Sequence, residues 1–552
     1  MLKVSSILFK RILLLSGVIF GGTGIGRICA AEDAVTGRRK PNVLFIVADD
    51  QSLNSFGFIG KKALTPHIDS IAQNGVYFSR AYATSSVCTP SRFACLTGRF
   101  ASRCASENFQ RNGMTEEGQT YVTWNTDLQD EKWTLPKVMQ QAGYVTGISG
   151  KWHNGYPPGW REVFNVPRDS DPSDPVIAER LGKAQELAHE WLKTLGFDYA
   201  ASISLVNLAE HSCRKLRLHN QEWITKGALD FIDQNQDRPF FLYMATTLMH
   251  NPNPMASLTG NPLATHGGLL DEPLNVQPSR QSVLERTQKA GVPEWIAAAT
   301  WLDDGIGAVL QRLDELNLTE DTLIVYFNDH GVEGAKGSCY EGGARTPAMV
   351  SWKGHIQPGT TEALIQNTDF TPTIFDACGI VPPEEMVMDG TSLMPLLQRK
   401  KDAVRDAVLL EMGYTRAIVT DHWKYLAFRI PPSKQLSPEE RKVLSDRFAK
   451  SKMEREDVHF DSTPDAPLSH MGFPGGQGTE RGQAVKKHRS TYFDADQLYD
   501  LSRDPEEKKN LASSPEHKAV LEKMQTLLVE QLHGMPGTFA EFKSKAGYGD
   551  GE

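Results

Sequence analysis

A cysteine two residues before a proline, with an arginine two residues beyond it, is a chemically loaded arrangement. The chain carries it as Cys88-Thr89-Pro90-Ser91-Arg92, followed by Leu96-Thr97-Gly98-Arg99. Proline has a fixed φ suited to a first helical position, and its missing N–H is one that a helix start could not use. The backbone N–H groups of a helix N-terminus attract negative charge, so Cys88 stands where a sulfate or phosphate would be held. Arg92, about one turn on, adds a permanently charged, forked donor that grips oxyanions. Alone, such a motif could equally be a packed cysteine beside a surface arginine. The Leu-Thr-Gly-Arg extension argues against that.

Other reactive residues follow short apolar runs. Asn42 to Ala48 ends in Asp49-Asp50, and Tyr144 to Ser149 in Gly150-Lys151-Trp152-His153. Phe240 to Ala245 leads through a short loop to His250 and Pro252, and Leu323 to Phe327 ends in Asn328-Asp329-His330-Gly331. Each run has strand length, and helix-like segments separate them. That alternation predicts an α/β fold: a large, mainly parallel (mixed) central sheet sandwiched by helices. In such sheets ligands bind outside the carboxyl ends of the strands. Four strands therefore deliver acids, histidines and a lysine to one edge. An isolated Asp pair is usually a turn or cap. Together Asp49, Asp50, Asp329 and His330 make an oxygen-rich site suited to a hard divalent cation, Ca²⁺ foremost, with Mg²⁺ also compatible with the ligand type. No thiolate set or His-x-x-x-His spacing favours zinc. Lys151 and Lys336 are compact charges suited to non-bridging or leaving oxygens, and His153 and His250 suit proton transfer.

The chain has 552 residues and a formal charge of −9. This allows a large domain plus a smaller one and argues against nucleic acid as the main partner. Lys3, Lys10 and Arg11 precede the apolar run Ile12 to Phe20, and small residues continue to Cys29-Ala30-Ala31. That pattern reads as a secretory signal over 1–31, too short for a stable membrane span, and predicts export to the periplasm or medium. Of seven cysteines, Cys29 would leave with the leader. Setting Cys88 aside leaves five, so at least one stays free or pairs between chains.

The motifs resemble the type I sulfatases of the alkaline phosphatase superfamily. Besides the Cys88 segment, the resemblance rests on Pro41 to Asp50, Thr65-Pro66-His67-Ile68-Asp69, Gly150-Lys151-Trp152-His153, Asp329-His330-Gly331 with Lys336-Gly337, and Tyr340 to Pro347. It continues through Asp369-Phe370-Thr371-Pro372-Thr373, Asp389 to Leu393, and Leu498 to Pro505. Two positions depart from the usual pattern: His67 replaces asparagine, and His330 stands where many members have Asn.

The resemblance implies that Cys88 is oxidised to Cα-formylglycine by a maturation enzyme, and that Asp49, Asp50, residue 88, Asp329 and His330 surround one divalent cation. One hydroxyl of the aldehyde hydrate would attack sulfur. His250 and Lys336 would then stabilise or protonate the departing alkoxide, and His153 would deprotonate the second hydroxyl to expel sulfate. Arg92 and Lys151 would hold the hydrate and the sulfate oxygens. The expected substrate is a sulfated carbohydrate or an aryl sulfate. A formylglycine-dependent phosphonate monoester or phosphodiester hydrolase would share the fold. A non-catalytic glycan-binding relative would have lost the nucleophile or the metal acids, which are all present here.

The charged stretch Gln398 to Asp402 marks the expected boundary between a catalytic domain, 38–400, and a C-terminal subdomain, 403–552. The subdomain should begin with a hairpin over Arg416 to Leu426 in a small antiparallel sheet and end in a helix near Glu516 to Leu532. Residues 431–489 are rich in charge, Gly and Pro and read as a long surface insertion. It is expected to border the pocket, with His470 or Arg481 as candidate sugar contacts. The loop Glu107 to Trp133 is a second candidate determinant of substrate choice.

Overall fold

A computed structural model describes residues 40–456, 461–471, 488 and 490–539. Residues 1–31, read above as a leader, the Gly475-Gly476-Gln477-Gly478 run and Arg481 lie outside the described residues. Strand β1, Asn42–Ala48, is buried along its whole length. Further strands are β2, Val76–Phe78; β3, Val145–Lys151; β4, Tyr199–Ser204; β5, Phe240–Ala245; β6, Thr322–Asn328; β7, Ala348–Ser351; and β8, Gly359–Thr361. They form one eight-stranded sheet in the order β8-β2-β7-β6-β1-β5-β3-β4.

The five strands β6-β1-β5-β3-β4 run parallel, and β7 is antiparallel to both of its neighbours. The sheet is therefore mixed and mainly parallel, as its apolar runs imply. Successive side chains of a strand point to opposite faces, and here they enter two separate cores. Val43, Phe45 and Val47 join one core with Phe241 and Tyr243; Leu44, Ile46 and Ala48 join the other with Leu242 and Met244. Both faces are thus covered, which is why the strands read as unbroken apolar runs.

Helix α1, Cys88–Thr97, lies against the first core with all ten residues buried. Cys88 is its first residue, so Pro90 falls within the first turn rather than at the first position. The argument about its N–H still holds, because the first four N–H groups of a helix lack internal partners. Gly98 ends the helix with φ +68°, the left-handed conformation that glycine adopts without cost.

A second, four-stranded antiparallel sheet follows: β9, Val408–Met412; β10, Thr415–Val419; β11, Trp423–Phe428; and β12, Asp496–Asp500. The expected hairpin is β10–β11. Before β12 comes helix α2, Pro438–Glu456, and the last helix is α3, Lys518–Leu532. Met524 and Leu528 of α3 pack on Ile418, Tyr425 and Leu498 of the sheet. Helix α2 gives the surface insertion regular structure that its charge- and proline-rich sequence does not announce. It opens with proline and two glutamates, favourable at a helix start, and Lys442 pairs with Asp446 one turn on. Its residues carry almost no apolar stripe, so periodicity does not reveal it.

The small sheet is tied to the large one by a buried ion cluster. The Lys424 ammonium of β11 lies 3.0 Å from both Glu341 and Glu507, and the Glu341 N–H donates to Glu507 at 2.7 Å. All six described cysteines are buried and free.

Gly150 sets how β3 ends. Its φ is +106°, and a Cβ there would fall 1.9 Å from the Ala245 carbonyl oxygen of β5. Gly150→Ala is therefore expected to destabilise the fold by about 1–3 kcal/mol, read as a lower denaturation midpoint. An unchanged midpoint would mean that the β3–β5 contact is looser than described.

Candidate active site

The parallel strands bring the expected residues together at their carboxyl ends. Asp49 and Asp50 follow β1, Lys151 ends β3 with His153 two residues on, His250 follows β5, and Asp329-His330 follow β6. The Asp49 N–H donates to the Leu248 carbonyl and the Asp329 N–H to that of Ala48, each at 3.0 Å. Backbone bonds thus lock neighbouring strand ends to each other. Asp50 and His153 both have positive φ, 55° and 60°, which is uncommon for non-glycine residues and concentrates at functional sites.

Cys88 enters from α1. Its Sγ is 3.4 Å from His330 Nε2, 3.7 Å from Asp49 Oδ1 and 3.9 Å from Lys336 Nζ. Each carboxylate meets a cationic partner. Lys151 Nζ donates to Asp49 Oδ2 at 2.6 Å, and Lys336 Nζ to Asp50 at 2.7 and 2.9 Å. Arg92, fully buried, donates to Asp329 Oδ2 at 3.1 Å and to the Lys151 carbonyl at 3.3 Å. The guanidinium therefore faces the acids. Of the two histidines beside the acids, His330 Nε2 lies 3.4 Å from Asp50 and 3.5 Å from Asp329, while His250 Nε2 is 3.7 Å from Asp50.

Burial and charge set the protonation states. Burial pushes the Asp49 and Asp50 carboxyls up, but Lys151 at Asp49 and Lys336 at Asp50 overcome it and hold both below the usual range. At Asp329 burial prevails and its carboxyl is raised, with Asp49 adding repulsion against the pull of His330 and Arg92. Burial also lowers His250 to about 3, and lowers His153 with help from Lys151 and Arg92. Both imidazoles are neutral near pH 7. The Cys88 thiol is pushed up by burial despite Lys151 and Lys336. It is a neutral S–H, and the reactive form of cysteine is the thiolate.

Two overlapping sets of groups have the spacing of cation ligands: Asp49, Asp50, Cys88 and His250, and Cys88, Asp329 and His330, the ligand atoms within each set lying within 4.8 Å of one another. Three carboxylates with imidazole nitrogen suit a hard divalent cation. Lysine ammonium and arginine guanidinium groups already crowd these oxygens, so the pocket is electrostatically built for positive charge.

A cavity of about 540 Å³ opens beside this cluster, with His153, Asn207, His250 and Lys336 on its inner side. Asn108, Trp124 and Asp127 contribute a wall from the loop singled out as a specificity region, while Phe448 and Lys452 of α2 contribute another. The insertion does border the pocket. His470, however, packs among Phe428, Tyr414 and Tyr492 and has no place in the cavity lining.

Two groups escaped the sequence reading. Asn207, beyond β4, accepts from Lys151 Nζ at 2.7 Å and donates to Glu210 at 3.0 Å, so a fifth strand serves the site. Asn154, fully buried, donates to the carbonyls of Thr89 at 2.9 Å and Thr126 at 3.3 Å, joining the start of α1 to the cavity wall. Asn207 had a faint signal, a polar residue after a strand-like run. Asn154 had none beyond its place beside His153.

Known proteins resemble this chain in sequence and in fold. A family model described as Sulfatase matches residues 41–380. Human arylsulfatase A is 27% identical, covering 89% of this chain and 88% of its own length. The N-acetylgalactosamine-6-O-sulfatase of Bacteroides thetaiotaomicron is 26% identical, with 89% and 93% covered. A solved structure from work on glycosaminoglycan metabolism by the same bacterium superposes with a TM-score of 0.58 at 22% identity, over 89% of this chain and 99% of that one, a likeness of fold.

Ligand binding to the folded state stabilises it, by about 2.7 kcal/mol at a hundredfold excess over Kd. Millimolar Ca²⁺ is expected to raise the unfolding temperature of the native chain. It should do so much less in the Asp49→Asn, Asp329→Asn double variant. An equal rise in both would place the cation elsewhere.

Proposed function

The chain belongs to the sulfatase family, and on that premise we propose that it is an exported enzyme that removes sulfate from a sulfated carbohydrate. It uses a Cα-formylglycine made from Cys88 and a bound Ca²⁺. The class is firm: the relatives are sulfatases acting on aryl, steryl or sugar sulfates by name, so the chain is a sulfuric ester hydrolase. The observation that carries the finer reading is Cys88 in the first turn of α1, facing acids and Lys336 beside a polar cavity. As a neutral thiol it is a weak nucleophile, and that favours a modified side chain.

Asp49, Asp50, Asp329 and His330 would hold the cation, with residue 88 beside it. The aldehyde hydrate and the cation would together supply a hydroxyl nucleophile, a second hydroxyl for collapse, and polarisation of the sulfate oxygens. The chain's own groups do the rest. Burial opposes protonation of Lys336, but Asp50 outweighs it and keeps Nζ charged; with His250 it faces the cavity where the leaving oxygen would lie. His153 is neutral, and among the described residues its Nδ1 has no hydrogen-bond partner, so it can accept a proton. Lys151 and Arg92 fix Asp49 and Asp329 in place. The cavity is lined by amides, carboxylates and aromatic rings, a mixture suited to sugar hydroxyls and ring faces. The leader over 1–31 supports export.

The test is a comparison of an aryl sulfate with the matching aryl phosphodiester on protein made in its native host. Faster turnover of the sulfate, by a hundredfold or more, is expected. A preference for the diester would make the phosphodiesterase alternative the better reading. Chelation should remove at least about 90% of the sulfatase rate, consistent with a metal contribution of several kcal/mol, and added Ca²⁺ should restore it. Full activity in excess chelator would rule out an exchangeable catalytic cation.

A further inference from the structure

Arg161 lines the cavity but belongs to none of the groups used above. Its guanidinium carbon lies 4.8 Å from the Tyr156 ring centre and 5.4 Å from that of Trp160, and Trp160 is itself fully buried against Phe164. Such stacking fixes an arginine in place while leaving its N–H fork available. Among the described residues that fork makes no hydrogen bond. Its ion-pair partner among the described residues is Glu210, at 3.7 Å, and the buried His266 is close enough to feel its charge. Glu210 is already engaged by Asn207, which in turn holds Lys151. The chain Arg161, Glu210, Asn207, Lys151 therefore sets a fixed offset between the guanidinium and the acids around Cys88. Lys452 of α2 adds a second cation to the same cavity.

A forked donor with unused N–H groups, held rigidly in a ligand cavity, is a receptor for an oxyanion. The sulfate to be cleaved is already served by Lys336, His250 and the cation site. We propose that Arg161 binds a second anionic group of the substrate, a carboxylate or another sulfate on the same or the adjoining sugar. The substrate is then a polyanionic saccharide rather than a singly sulfated neutral one. The inference rests on the sulfatase reading and names the substrate class of that same site.

The experiment measures kcat/KM for an aryl sulfate, for monosulfated hexosamines, and for matched saccharides that add one uronate or one N-sulfate. Wild-type enzyme and Arg161→Ala are compared, with Arg161→Lys as a second variant that keeps the charge but not the fork. The native enzyme should prefer a doubly anionic sugar by about tenfold or more, the scale of a charged hydrogen bond. Arg161→Ala should erase that preference through KM while leaving aryl sulfate turnover within about twofold, and Arg161→Lys should fall between. Whether uronate or N-sulfate gives the larger effect identifies the group read. An equal loss on aryl sulfate and sugars would overturn the proposal, because Arg161 would then act only by supporting Glu210 and Lys151. A native enzyme indifferent to the second anion would overturn it as well. Failure of the sulfatase reading looks different: the native protein would then cleave none of these sulfates.

Discussion

Three carboxylates, Asp49, Asp50 and Asp329, share one buried cluster, and like charges brought that close repel strongly once water is removed. Removing a charge from water costs several kcal/mol even after relaxation, so the cluster persists only because cations face it. Those cations come from different parts of the chain: Lys151 from the end of β3, Arg92 from α1, and Lys336 from the loop after β6. No local segment could assemble them. The register of the parallel sheet, which aligns the carboxyl ends of β1, β3, β5 and β6, is what makes the site geometrically possible.

That dependence explains the architecture around it. Both faces of the sheet must be sealed, since an edge of buried acids needs low mobility and little competing water. Helix α1 seals one side and brings Cys88 to the acids at the same time. The small sheet contributes at a distance. Lys424 clamps Glu341 and Glu507, which holds the segment just beyond Lys336 against the rest of the fold.

Much of this was legible in the sequence, for identifiable reasons. Asn42–Ala48 and Phe240–Ala245 announce themselves as strands because burial on both faces demands unbroken apolar residues. The acids and histidines stand out because they come directly after such runs. Asn207 and Glu210 are harder to see. The strand before them, β4, reads Tyr-Ala-Ala-Ser-Ile-Ser, with its first half only partly buried and no strong apolar run. Helix α2 is hidden for the opposite reason, being charged all round with no apolar period to register. His470 drew attention as a lone histidine in a polar insertion, yet tertiary packing placed it among aromatic rings, a frequent fate of a buried imidazole. The walls of the cavity are built from these less legible parts, namely Asn108 to Asp127, Arg161 and α2. Sequence motifs therefore define the reaction more sharply than the molecule it acts on.

The central claim concerns the chemical state of residue 88, because every proposed role nearby presupposes a hydroxyl nucleophile there. Mass measurement of the proteolytic peptide spanning residue 88, from protein purified from its native host, tests it directly. The account predicts an aldehyde or its hydrate in place of the thiol. An intact cysteine in that native material would contradict it and leave a buried, protonated thiol with no route to sulfate release.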